Sequence, residues 1–340
     1  VTIVAGIIAN PASGRDIRRL VAHASVFGND EKINIVRRVL LGMAATGVDR
    51  VLYMPDGQRL VERAVEEIDS HMEVIRVGGI FNGKALDTAI AAASMQAAGA
   101  RVIVSLGGDG TNRMVAKGAL DVPLVPISTG TNNVFPVMVE GTVAGIAAGA
   151  LAARAADPAE VAPRCKMVEI ELQNDKRELA LIDAVVMGPG FIGSRAIWET
   201  DSVREILLAR AQSDSVGMSA LGGMVMPVSQ EEDCGLHLVV GKTGREEHST
   251  IEVEAAIAPG LIEAVTLERF ERIPLGCVVQ VSGPALLALD GEREIVLPKD
   301  HIARLSVLRT GPRVVDIAHC LDAARASGFF RRESAVEPVR

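Results

Sequence analysis

The sequence predicts an α/β N-terminal domain built on a doubly wound parallel sheet, followed by a largely antiparallel, β-rich second domain. Three observations predict it. Residues up to about 155 alternate short apolar runs with amphipathic or Ala-rich stretches, the rhythm of a parallel sheet with helices on both faces. Beyond 155–163 helical periodicity becomes rare and strand-like runs follow one another. Near 314 the strand-then-helix rhythm returns. A chain of 340 residues is long enough for two domains. We expect one over 1–160, rejoined by 312–340, and the other over 161–311.

Taken in order, the apolar runs Ile3–Ile8, Val51–Met54, Met72–Val77, Val102–Leu106 and Leu124–Ile127 read as buried parallel strands. The segments between and after them, Glu31–Ala45, Leu60–Ser70, Lys84–Ala98, Asn112–Leu120 and Thr142–Ala153, read as helices. In the second half the strand candidates are Val168–Leu172, Leu179–Met187, Leu236–Val240, Ile251–Ile257, Val278–Ser282, Leu286–Leu289 and Arg304–Leu308. A single helix is expected there, over about Arg195–Ala211. Val314–Ile317 and Ala318–Ala326 read as a closing strand and helix.

Composition excludes several functions. Aromatic residues are only 3% of the chain, too few for stacking single-stranded nucleic acid. The net charge of -8, with no basic run, argues against nucleic acid and anionic membrane as partners. No apolar run is long enough to span a bilayer, and no signal peptide is recognisable. Cys165, Cys234, Cys277 and Cys320 have no metal-type spacing and read as free thiols of a cytoplasmic protein. The six histidines form no metal pair and no nucleophile dyad.

The chemistry-bearing stretch is Gly107-Gly-Asp-Gly-Thr111, between a buried strand and a helix start. Glycines at that junction let backbone N–H groups approach an anion. Asp109 lies within the turn. A carboxylate beside an anion site is repulsive unless a metal or a transferable proton is involved. Two more loops follow parallel strands, where such sheets bind ligands. Asn10-Pro-Ala-Ser-Gly-Arg15 offers Asn10, Ser13, Gly14 and Arg15 to a phosphate, and reads equally as an ordinary turn. Ser128–Asn133 carries five hydroxyl or amide side chains around Gly130, suited to phosphates or ribose, or to capping a helix. Later, Asp290-Gly291 is a hairpin signal between two apolar runs, and Glu292 adds a second carboxylate. Gly188–Gly193 fits G-x-G-x-x-G, but no strand ending in an acidic residue follows it. Gly241-Lys-Thr243 lacks a glycine at the P-loop spacing and is rejected.

Together these loops resemble the superfamily that joins NAD kinases, diacylglycerol kinases and sphingosine kinases. Within it, the run Thr129–Pro136 is similar to the ATP-NAD kinase-like, or acetoin-catabolism protein X, group. The resemblance implies a magnesium- and ATP-dependent phosphotransferase acting on an alcohol group. In it Gly107, Gly108, Gly110 and Thr111 hold the ATP phosphates, and Asn10, Ser13, Gly14, Thr129, Gly130, Thr131 and Asn132 line the nucleotide. Asp109 takes the acceptor proton or helps hold magnesium, and Glu292 is a second base. On the acceptor side, Ile182-Asp183 stands where NAD kinases carry an Asn-Glu pair, and Asn133 where lipid kinases carry Asp. Ile182, together with the replacement of the NAD kinases' Asn-x-Gly-x-x-Gly-Phe loop by Ser128–Phe135, weakens NAD itself as acceptor. No amphipathic docking segment favours a lipid. We therefore expect a small polar acceptor, either NAD or another hydroxyl metabolite, and by analogy a homo-oligomer, dimer or tetramer. A nucleotide-binding regulator that has lost phosphotransfer is the alternative.

Overall fold

The computed structural model describes residues 1–13, 27–130, 132–188, 202–241 and 250–331. Its first layer is a five-stranded parallel sheet of β1 (Val4–Ala9), β2 (Arg50–Tyr53), β3 (Glu73–Arg76), β4 (Ile103–Gly107) and β5 (Leu124–Ser128), in the order β3-β2-β1-β4-β5. Strand order reverses between β1 and β4, so the loops after them open a crevice at the C-terminal edge of the sheet.

Strand alternation sends Ala5, Ile7 and Ala9 to one face and Val4 and Ile8 to the other. The first face is covered by α1 (Asn29–Ala45) and α5 (Gly141–Ala152), the second by α3 (Ala85–Ala97) and α4 (Asp109–Gly118). The predicted helix Leu60–Ser70 is shorter, α2 (Leu60–Val65).

Helices α1 and α5 touch backbone to backbone through Gly141, Gly145 and Gly149, four residues apart and so on one side of α5. A Cβ built on Gly145 would lie 2.2 Å from Val39 O, and one on Gly149 would lie 1.8 Å from Thr46 Oγ1. Gly145→Ala gains up to about 1 kcal/mol of helix propensity. Its obstacle is backbone, however, so the helices must part, at about 1–3 kcal/mol. Net destabilisation is expected in urea unfolding.

The β-rich part contains two antiparallel sheets. The larger has the order β11-β12-β10-β9-β8-β14-β15. Its strands are β8 (Asp183–Met187), β9 (Val203–Leu208), β10 (Cys234–Val240), β11 (Ile251–Ala258), β12 (Leu261–Pro274), β14 (Ala285–Leu289) and β15 (Glu292–Leu297). The smaller is β13-β16-β6-β7, from β6 (Met167–Glu171), β7 (Arg177–Ala180), β13 (Val278–Ser282) and β16 (Ile302–Leu308). Leu207, Ala209, Leu287, Leu305 and Val307 belong to one buried cluster that joins them. Short helices α6 (Pro158–Val161) and α7 (Met218–Val225) complete this part.

Two expectations are corrected. The helix expected over Arg195–Ala211 is replaced over Val203–Leu208 by β9, a central strand paired with β8 and β10; residues 195–201 lie outside the described residues. Ile206, Leu207 and Leu208 are buried on alternating faces, and their cross-strand partners override a helical-looking composition. The single strand expected over Leu179–Met187 is two, β7 and β8, lying in different sheets on either side of Leu181 and Ile182.

Near the end of the chain, Val314 forms a parallel bridge to Leu124, and α8 (Ile317–Ala326) packs on α5, with Cys320 Sγ 3.5 Å from Ala147 O.

Candidate active site

The loops after β1, β4 and β5 meet at the crevice, stitched by their own side chains. Asn10 Nδ2 donates to Thr111 Oγ1 at 2.8 Å, joining the first loop to the glycine loop. Thr129 Oγ1 donates to Ser13 Oγ at 2.8 Å, joining the third loop to the first. The Asp109 carboxylate accepts from Val134 N–H at 3.1 Å and from Phe135 N–H at 2.8 Å, joining the glycine loop to the third.

This packing requires glycine at 107 and favours it at 108 and 110. A Cβ at Gly107 would strike Thr111 at 2.5 Å, and one at Gly108 would strike Asn133 Oδ1 at 2.7 Å. One at Gly110 would come within 3.1 Å of Glu292 Oε1. The backbone leading into α4 is therefore bare, and its first-turn N–H groups have no helical acceptor. Asn112 pins the turn from below: its Nδ2 donates to Gly108 O at 2.9 Å, and its Oδ1 accepts from Ser105 Oγ.

Asp109 retains partial surface exposure, but its carboxyl is enclosed, and burial pushes its pKa up to about 6 against the opposing pull of the Phe135 and Val134 amides. At neutral pH it is mostly ionised and close enough to its pKa to accept a proton and give it up again.

The Asp-Gly hairpin forms as the sequence indicates. Asp290 (φ +48°) and Gly291 (φ +80°) make a two-residue turn between Leu289 and Glu292. Asp290 is buried and accepts from Leu181 N–H at 3.0 Å and Ile182 N–H at 2.8 Å. Its other neighbour is Arg113 of α4, Nε to Oδ2 3.3 Å, with both side chains shut off from solvent. Glu292 stays at the mouth, 3.8 Å from Arg113 Nη2 and beside Gly110. The late acidic turn thus reaches the glycine loop from the β-rich part.

Of the expected site residues, Asn10, Ser13, Gly107, Gly108, Asp109, Gly110, Thr111, Thr129, Gly130, Asn133 and Glu292 converge on this crevice. Asn132 lies in the same loop, half-buried. Gly14 and Thr131 lie outside the described residues, as do Arg15, residues 189–193 of the G-x-G-x-x-G segment, and Lys242 and Thr243. Asn133 is engaged inside its own loop, Nδ2 donating to Ser128 Oγ at 2.7 Å. Asp183 is buried at the start of β8, its carbonyl accepting from Asp290 N–H at 3.1 Å. Among the described residues no three His, Cys, Asp or Glu side chains cluster as a metal site, and no helix is long and apolar enough to cross a membrane.

Sequence reading missed the buried cations. Lys32 of α1 is fully buried, and its Nζ donates to Asn10 O (3.0 Å), Pro11 O (3.0 Å) and Ser13 O (2.6 Å). It holds the first loop by its carbonyls. Only its position in the first turn of an amphipathic helix, on the apolar side, signals it. Lys32→Met would strand those carbonyls and is expected to cost about 1.5–3 kcal/mol in urea unfolding. Arg113 and Arg210 were likewise hidden.

Two family models match this chain. The ATP-NAD kinase N-terminal domain family matches residues 5–155, and the acetoin catabolism protein X C-terminal domain family matches residues 166–310. Acetoin catabolism protein X of Cupriavidus necator is 36% identical over 342 aligned positions, covering 96% of this chain and 94% of that one. Yeast NADH kinase, solved in complex with NADH, shares the fold at a TM-score of 0.52 and 13% identity, over 99% of this chain and 90% of that one. A diacylglycerol kinase from Bacillus anthracis aligns over 92% of this chain and 96% of its own at 12% identity, with a TM-score of 0.43.

Proposed function

The chain belongs to the acetoin catabolism protein X family and has the NAD kinase-like fold, and from these premises we propose that it transfers the γ-phosphoryl group of ATP to a hydroxyl of a small polar metabolite. The observation that carries this reading is the meeting of a bare glycine turn, an enclosed carboxyl with a pKa of about 6, and a second carboxylate at one helix start.

The residues fit the groups such a reaction needs. A side chain at Gly107 is excluded, and one at Gly108 or Gly110 would have to displace Asn133 or Glu292; as glycines all three leave N–H groups for phosphate oxygens. Glu292, half-exposed at the mouth, is a hard oxygen donor of the kind magnesium takes alongside substrate phosphates. It is the residue that would hold the ion, which bound there would neutralise phosphate charge and leave Asp109 free as the base. Asn10, Ser13 and Thr129, already bonded to one another across two loops, set the nucleotide wall.

The acceptor hydroxyl loses its proton to Asp109 Oδ as its oxygen forms a bond to the γ-phosphorus. The bond from that phosphorus to the β,γ-bridging oxygen breaks, and ADP leaves with that oxygen. Asp109 then releases the proton to solvent. Positioning and charge neutralisation supply most of the acceleration in such transfers. The Val134 and Phe135 amides fix the carboxylate from behind.

The test is ADP release from magnesium-ATP with the purified protein against acetoin, NAD, glycerol and small hydroxy acids. We expect release that requires one acceptor class and has an acidic limb near pH 6, with activity falling as Asp109 is protonated. ATP binding without stimulation by any acceptor would instead favour a nucleotide-binding regulator.

A further inference from the structure

Two arginines enter the crevice region, and they are used differently. Arg113 is taken up by Asp290 and Glu292. Arg210, two residues beyond β9, has no carboxylate within ion-pair distance among the described residues. Its guanidinium is mostly buried, and its Nε is enclosed without a hydrogen-bond acceptor. Nη1 reaches Val134 O only at 3.5 Å, the outer limit of a hydrogen bond. The remaining contact is stacking: Cζ lies 5.4 Å from the centroid of the Phe135 ring.

The dipeptide that Arg210 touches is the one that gives its N–H groups to Asp109. A guanidinium and the proposed base therefore grip Val134–Phe135 through opposite ends of its peptide groups. The backbone of Arg210 is itself pinned. Its carbonyl accepts from Ser219 Oγ at 3.3 Å, and that hydroxyl in turn accepts from Gln212 N–H at 3.2 Å. The guanidinium is thus presented from a fixed strand end with its planar fork unfilled.

A mostly buried guanidinium with no carboxylate in ion-pair contact, attracted only at longer range by Asp109 and Asp290, is costly, and a bound anion would complete it. The fork matches carboxylate and phosphate in two-point contact. We propose that Arg210 is the anion-recognition residue of this crevice, receiving an oxyanion beside Asp109. That oxyanion is carried by an acidic group of the acceptor or by the phosphoryl group in transfer. The inference deepens the phosphotransferase reading and rests on it for the identity of the ligand. Arg210 is a specificity and positioning residue in this scheme, and Asp109 remains the base. In the acceptor case, the preferred substrate is a hydroxy acid or phosphorylated alcohol rather than a neutral polyol.

Isothermal titration separates the cases, using magnesium-ATP, magnesium-ADP, glycerate, glycerol phosphate and glycerol with the wild type and Arg210→Gln. If Arg210 meets the transferred group, the variant loses about tenfold in ATP affinity while ADP binding is unchanged. If it reads the acceptor, the ATP-to-ADP ratio is unchanged, and glycerate or glycerol phosphate loses about tenfold or more relative to glycerol. Equal binding of every probe by the two proteins overturns the inference. Should Arg210→Gln fail to fold, the wild type still decides. Phenylglyoxal modification of Arg210, followed by peptide mass spectrometry, must be suppressed by the anion it holds, and modification indifferent to all the anionic probes overturns the proposal. A wild type that binds glycerate through Arg210 but not ATP would sink the kinase reading and leave this one standing.

Discussion

Asp109→Asn is expected to lower acceptor-dependent ADP release by about 10²- to 10⁴-fold, the usual worth of a positioned base, while the three loops stay in place. Both backbone donors, Val134 N–H and Phe135 N–H, reach the same carboxylate oxygen, Oδ1, at 3.1 and 2.8 Å. An amide oxygen can occupy that position, so the substitution removes charge and basicity without removing the acceptor. Asp109→Ala removes all three and should also loosen nucleotide binding. A control lies in stability. Burial raises the Asp109 pKa to about 6, above that of an unfolded Asp, so the stability its proton provides is complete below about pH 4 and is lost as pH rises through 6. Asp109→Asn should therefore be more stable than wild type at pH 8 and lose that advantage at pH 4. Inactivity together with this pH-dependent gain identifies a catalytic loss; inactivity with lower stability at pH 8 would point to a collapsed loop.

The largest structural loss is expected at Asp290. Replacing it with Ala leaves Arg113 buried without its carboxylate, a change that typically costs about 3–5 kcal/mol. It also strands the Leu181 and Ile182 amides and puts Ala at φ +48°, where a short polar side chain is tolerated better. Asp290→Asn keeps the turn preference and an acceptor oxygen, so it should cost less. Burial raises the Asp290 pKa even though Arg113 and the amides of Leu181, Ile182 and Asp183 pull it down. The pair is consequently no strong net source of stability, yet breaking half of it is severe. Urea unfolding of the two variants checks this, and equal stabilities would contradict the argument.

The sequence made the crevice legible because its parts are local. A buried strand, glycines and a helix start within ten residues mark a bare-backbone turn whatever the rest of the chain does. The Asp290-Gly291 hairpin is local in the same way. What stayed hidden is long-range. Nothing near Lys32 indicates that its ammonium will meet carbonyls about twenty residues earlier. Arg113 reads as an ordinary helix residue until Asp290 arrives from far along the chain. Ile206, Leu207 and Leu208 can serve helix or strand equally, and only pairing with β8 and β10 decides.

The bridge from Val314 to Leu124 and the packing of α8 on α5 set the order in which this protein can be completed as it is made. The three crevice loops are translated first, but the edge strand beside them and the helix behind them gain their last partners only after the whole β-rich part has been made. Asp109 and Arg113 face a similar delay, since Arg210 and Asp290 come from that later part. The half of the chain that carries the glycine turn is therefore the last to become fully native. Until then Arg113 lacks the carboxylate it is buried against, whereas Lys32 already has its carbonyl partners.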